Sequence, residues 1–206
     1  DENMIEAFRN NEDIHTTTAS RVFGVSPDSV TPLMRSKAKA VNFGIVYGIG
    51  DFSLSKDLGI SRKEAKRYID GYLDKYPGVR QYMHDIVEQG KKNGYVTTIF
   101  NRRRYLPELN SKNFNIRSFG ERVAMNTPIQ GSAADVIKIA MVKVYRALKE
   151  RKMKSRLILQ VHDELIVETF VDEKESVEEI LKECMENAVN LSVPLNIDIK
   201  SGKSWY

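Results

Sequence analysis

From residue 3 to residue 94 the chain is cut into helix-length pieces by paired start and stop signals, which leaves little of its first half for a sheet. Residues 3–9 read as one short helix, and 13–23 as a second that Asp13 opens and Gly24 closes. Thr31 before Pro32 predicts a helix that runs to about Tyr47, with Gly48 as its stop. Ser61-Arg62-Lys63-Glu64 has the spacing of a capping box and opens a helix that Pro77-Gly78 ends; Val79 to Asn93 forms another, closed by Gly94.

The pattern changes at Tyr95. Tyr95 to Phe100 is β-branched and aromatic and, with Asn101 and three arginines, predicts a short strand and turn. A long helical pattern then runs from Phe114 to about Lys152, bent or broken at Pro128 and Gly131. Arg156 to Phe170 alternates as two strands around His162-Asp163-Glu164, an acidic amphipathic helix covers Glu173 to Leu191, and Pro194 to Lys200 alternates as a last strand. Helices first, then strand-strand-helix-strand, predict a predominantly helical α+β chain with a small antiparallel sheet rather than a doubly wound one.

Four residues in the Thr31–Gly48 segment stand four apart: Arg35, Lys39, Phe43 and Tyr47 form one ridge three turns long, cations first and aromatics after. Cations in the first turns oppose the helix dipole unless an anion is present. A polyphosphate would supply that anion, and the aromatics lie where a sugar and base would reach. Spacing alone equally describes an amphipathic helix with a solvated basic start and two core aromatics.

The full string decides between them. Arg35-x3-Lys39-x2-Asn42-Phe43-Gly44-x2-Tyr47-Gly48 resembles the fingers motif of the family A DNA polymerases, the bacterial DNA polymerase I family. Resemblance implies that Arg35 and Lys39 bind the triphosphate of a deoxynucleotide, that Phe43 lies against sugar and base, and that Tyr47 stacks at the templating position. His15, in Asp13-Ile14-His15-Thr16, is similar to the family histidine that approaches the phosphates; by itself it reads as a surface histidine.

Farther along, two apolar strands joined by His162-Asp163-Glu164 put carboxylates at a tight turn, a fixture suited to Mg2+, which prefers carboxylate and phosphate oxygens. Two such ions about 4 Å apart can activate a primer hydroxyl and stabilise leaving pyrophosphate. Gln160-Val161-His162-Asp163-Glu164 resembles the family's carboxyl-terminal catalytic motif, which implies Asp163 as a metal ligand, Glu164 as a weaker one, and His162 as a positioning group near the primer end. Arg122, Asn126 and Gln130 repeat every four residues; such donors can test base-pair geometry at the minor-groove acceptors, or can be a polar stripe on a half-exposed helix. Glu121-Arg122 and Asn126-x-Pro128-x-Gln130-Gly131 are similar to the family's palm helix, which implies DNA contacts near the primer terminus. Arg102-Arg103-Arg104 reads as a phosphate contact or a solvated turn.

The formal charge of +4 and pI near 9.0 permit a polyanionic partner such as primer-template DNA. No apolar run approaches a membrane helix, and Asp1-Glu2-Asn3 is no signal-peptide start, so the expected location is the cytoplasm, with the nucleoid implied by the resemblance. Cys184 sits in a helical apolar pattern and reads as a buried small hydrophobe. The resemblance further implies fingers at residues 15–114 and a partial palm at 1–14 and 115–206. The family palm has a second essential aspartate, expected about twenty residues before Asp1, so the chain by itself is expected to be inactive and to need the first palm strand and the thumb as partners. A nucleic-acid-binding module without chemistry and a single-subunit RNA polymerase are the alternatives; Phe43 and the Gln160–Glu164 string disfavour the latter.

Overall fold

The computed structural model describes residues 1–205 and divides into two compact units, 1–129 and a second that begins at Gln130. The first unit opens with α1 (Glu2–Arg9), α2 (Ile14–Phe23), α3 (Pro32–Val46), α4 (Asp51–Leu58), α5 (Arg62–Lys75) and α6 (Pro77–Asn93). Their ends fall where the local signals put them. Asp13 accepts from the amides of His15 and Thr16, Thr31 from Met34, and Ser61 and Glu64 cap each other reciprocally. Gly24 and Gly94 close their helices in the left-handed region. Pro77 begins α6 instead of only ending α5, because a proline at the first helical position loses no bond the helix would have made. Helix α4 has no counterpart in the sequence reading; Gly59 in the left-handed region ends it.

Val41, Ile45, Leu54, Ala65, Tyr72 and Tyr76 form the core under α3, α4 and α5. A second core joins Val96, Leu106, Leu109 and Ala124. It backs a short hairpin, β1 (Tyr95–Thr97) with β2 (Arg103–Tyr105), in register Val96 to Arg104. Arg103 and Arg104 are exposed, and the Arg103 guanidinium lies 4.7 Å from the Tyr95 ring centroid, so this arginine is partly engaged in stacking.

Helix α7 (Phe114–Glu150) runs from the first unit into the second without a break; of the bend or break expected at Pro128 and Gly131, the break does not occur. One missing amide donor is a small loss in a ladder this long. The Tyr82 hydroxyl donates to the Met125 carbonyl at 3.0 Å beside the proline, and Ala124 and Met125 are buried around it. Burial pushes the Tyr82 hydroxyl pKa up to about 12, so it stays a donor.

In the second unit, β3 (Arg156–Val161) pairs antiparallel with β4 (Glu164–Glu168), and α8 (Lys174–Glu186) packs Val177 and Ile180 against Val144 and Leu148 of α7. Leu157, Leu165 and Val167 join that core, as does the half-buried Cys184. Helix α8 stops at Asn187, whose side chain donates to the Glu183 carbonyl, well short of Leu191. The strand expected over 194–200 does not form. A strand needs a partner edge, and among the described residues none pairs with it. Among the described residues the fold is a predominantly helical α+β arrangement with two two-stranded antiparallel sheets. No helix among the described residues is long and apolar enough to cross a membrane.

Candidate nucleotide site and carboxylate hairpin

The local chemistry of α3 places the first set of side chains. Its four-residue spacing puts Arg35, Lys39, Phe43 and Tyr47 along one side, while Ala38, Val41, Asn42 and Ile45 are buried. At its end Gly48 donates to the Ile45 carbonyl and Ile49 to the Gly44 carbonyl, the bond pair of a Schellman cap. Gly48 has φ +78, and a Cβ there would stand 2.4 Å from Met125 Cε, so the turn after Tyr47 is seated directly on α7.

Aromatic and cationic groups meet along this ridge. The Phe43 and Tyr47 rings stack with centroids 6.1 Å apart and planes 27° apart, and Lys39 Nζ lies 5.9 Å from the Phe43 centroid. Phe43 remains 44% exposed, an apolar ring kept open to solvent. His15, from the first turn of α2, comes within 6.0 Å of the Phe43 ring centroid. The five residues expected to hold a nucleotide are thus gathered on one face of α2 and α3.

Asp13 completes the group. Its carboxylate accepts from Arg35 Nε at 2.5 Å and from Arg35 Nη2 at 3.3 Å, while also capping α2. The guanidinium holds the Asp13 carboxyl well below the ordinary carboxylate range, and Arg35 is correspondingly harder to deprotonate. The anion that the basic start of α3 calls for is therefore supplied, for Arg35, by the protein itself. Sequence reading took Asp13 only as a helix start, since nothing in spacing links positions 22 residues apart. The His15 imidazole is held below its ordinary pKa, first by burial and then by the Arg35 charge, with Lys39 adding to this and Asp13 opposing it.

The second set lies in the other unit. A two-residue turn, His162-Asp163, joins Val161 to Glu164, and His162 has φ 50, which a tight hairpin turn favours. Gln160 Nε2 donates to the His162 carbonyl at 2.7 Å and fixes the turn. At the other end of the hairpin, Glu173 accepts from the amides of Lys154 and Ser155 and from the Ser155 hydroxyl, which in turn accepts from the Phe170 amide. His162, Asp163 and Glu164 are all exposed at the tip.

Among the described residues neither carboxylate side chain holds an ion pair, and no third acidic or imidazole side chain joins them into a cluster. Two adjacent hard-oxygen donors fit Mg2+, which takes one or two carboxylates and fills its octahedron with water and substrate phosphate. They do not by themselves make a complete protein cage.

Of the three donors on α7, Arg122 is exposed and its Nη1 donates to Ser118 Oγ at 3.1 Å; Asn126 is half-buried with its Oδ1 unpartnered; Gln130 is exposed and begins the second unit.

Comparison with known proteins identifies the family. The chain is 61% identical to DNA polymerase I of Bacillus subtilis (strain 168) over all 206 residues, which are 23% of that protein, and 56% identical to DNA polymerase I of Geobacillus stearothermophilus, covering 24% of it. It spans about a quarter of the length of these curated relatives. A solved structure, the POL domain of Pol1 from M. smegmatis in complex with DNA primer-template and dNTP, matches the whole chain with a TM-score of 0.95 and 47% identity, the match covering 36% of that chain. With residues 1–206 also matching the family profile from end to end, this chain belongs to DNA polymerase family A.

Proposed function

We propose that the chain serves template-directed DNA synthesis, in which a primer 3′-hydroxyl attacks the α-phosphate of a deoxynucleoside triphosphate and pyrophosphate leaves. The observation that carries this reading is the α3 ridge: two cations, a histidine and two stacked aromatics on one face, in the order a triphosphate, sugar and base would need. Arg35 and Lys39 bind and neutralise the phosphates, His15 donates to a phosphate oxygen, Phe43 lies against the sugar and base, and Tyr47 stacks at the templating position. Lys39 also stabilises charge that grows on the leaving group.

Asp163, with weaker help from Glu164, would hold a divalent cation, Mg2+ in this reading, as one carboxylate anchor of a two-metal arrangement. When bound there, such a cation would supply a Lewis acid toward the attacking hydroxyl and positive charge toward the leaving oxygen. His162 positions the primer end, and Arg122, Asn126 and Gln130 donate to minor-groove acceptors of the primer-template duplex without reading its sequence. Residues 15–114 act as fingers, with 1–14 and 115–206 as palm. The partners are primer-template DNA, deoxynucleotides and the remaining polymerase segments, thumb and first palm strand, on the nucleoid in the cytoplasm.

Primer extension by the complete protein tests the reading. Asp163→Ala should abolish extension while DNA binding stays within about twofold, because it removes a metal ligand and not a phosphate clamp. Near-normal extension by that variant would sink the assignment.

A further inference from the structure

Asn42 belongs to the α3 string and has no part in the reading above. It is 3% exposed, on the side of α3 that faces α2. Its Nδ2 lies 3.0 Å from His15 Nδ1 and 3.4 Å from the Ile14 carbonyl oxygen, while its Oδ1 is buried without a partner. We propose that Asn42 is a positioning residue: its amide holds the His15 ring in the tautomer protonated on Nε2, so that the nitrogen remote from Asn42 offers a neutral N–H to a phosphate oxygen of the incoming nucleotide.

The orientation of the amide follows from its neighbours. A carbonyl oxygen only accepts, so the atom of Asn42 facing Ile14 is the NH2 group. The same NH2 group faces His15 Nδ1, which must then accept, and the ring proton is on Nε2. Turning the amide over would set Oδ1 against the Ile14 carbonyl oxygen, two acceptors face to face, and lose the bond that the NH2 group makes there. The observed arrangement leaves one acceptor unsatisfied instead. Burial and the Arg35 and Lys39 charges favour the neutral ring, with Asp13 the one opposing charge. A neutral ring held by Nδ1 is a donor in one direction only, through Nε2–H.

The inference rests on the reading of His15 as a phosphate-facing group, and two measurements on the complete enzyme separate the two. The first is the 15N spectrum of histidine-labelled enzyme, with His15 assigned by its loss in His15→Gln. His15 should appear as a single Nε2–H tautomer, and Asn42→Ala should give a mixture. A wild-type ring protonated on Nδ1, or a spectrum indifferent to Asn42, overturns the proposal. The second is a double-mutant cycle on KM for a deoxynucleotide. His15→Ala and Asn42→Ala should each raise KM about three- to tenfold, and the double variant no further than the larger single effect. Effects that multiply would show that Asn42 acts through packing alone, and overturn it. Unchanged KM in His15→Ala would overturn the phosphate reading, while the spectrum still judges the tautomer. Asn42→Asp keeps the side-chain shape but puts an acceptor where the donor was; it should raise KM at least as much as Asn42→Ala, and again only when His15 is present.

Discussion

Asp13 caps α2 and pairs with Arg35 of α3 through the same carboxylate, so one charge ties two helices and stands where a substrate phosphate is expected. Because its folded-state pKa lies below the unfolded value, the pair's contribution is complete above the ordinary carboxylate range and is lost as pH falls through the depressed value. Asparagine caps about as well as aspartate but cannot form the ion pair. Asp13→Asn should therefore lower Tm at pH 7, with the gap to wild type closing as the pH falls below about 4. A gap independent of pH would show that the pair adds no stability. Gly48 makes the other sharp prediction at this scale. An alanine there must adopt φ +78 and meet Met125 Cε, so Gly48→Ala should lose about 1–2 kcal/mol in urea unfolding. Trimming Met125 should recover only the part due to the clash, because the backbone penalty remains.

Element boundaries were legible wherever a residue within four positions satisfies or blocks a helix end. Asp13, Thr31, Ser61, Gly24 and Gly94 all act locally, and the helices begin or end at them. Helix α4 was missed although Gly59 marks its end, because its amino-terminal cap, Gly50, makes no side-chain bond that a sequence pattern can show. At Pro128 the helix continues where a bend or break is expected. A proline is a local cost, and the long-range Tyr82 bond and the packing of Ala124 and Met125 outweigh it. Pro128→Ala restores the amide donor toward the Ala124 carbonyl, and should raise stability by about 2 kcal/mol after the greater flexibility of the unfolded chain is counted. A lower Tm would mean that the proline ring itself packs against a neighbour more than it strains the helix.

Each compact unit has a core beneath one of the two chemical sets. Val41 and Ile45 sit beneath the ridge, and Val144, Leu148, Val177 and Ile180 lie beneath the hairpin that bears Asp163. Ile180 is fully buried, so Ile180→Ala should cost about 2–5 kcal/mol. Hydrogen exchange should then accelerate at β3 and β4 in residues 156–168, while the amides of α3 keep their protection. Equal acceleration in both places would show that the units unfold as one.

The sequence by itself determined the helical first half, the hairpin around His162-Asp163 and the family string, because capping, turn geometry and side-chain periodicity act over a few residues. It also brought Arg35, Lys39, Phe43 and Tyr47 to one face, since helix pitch alone does that. Tertiary structure decided what spacing cannot reach. Asp13 meets Arg35 across 22 residues, Asn42 meets His15 across 27, and Tyr82 reaches Met125 across 43. Such bonds depend on how helices pack, and no local rule predicts their partners. The same reason explains residues 194–200, whose alternating pattern describes a strand only if another edge is there to pair with it.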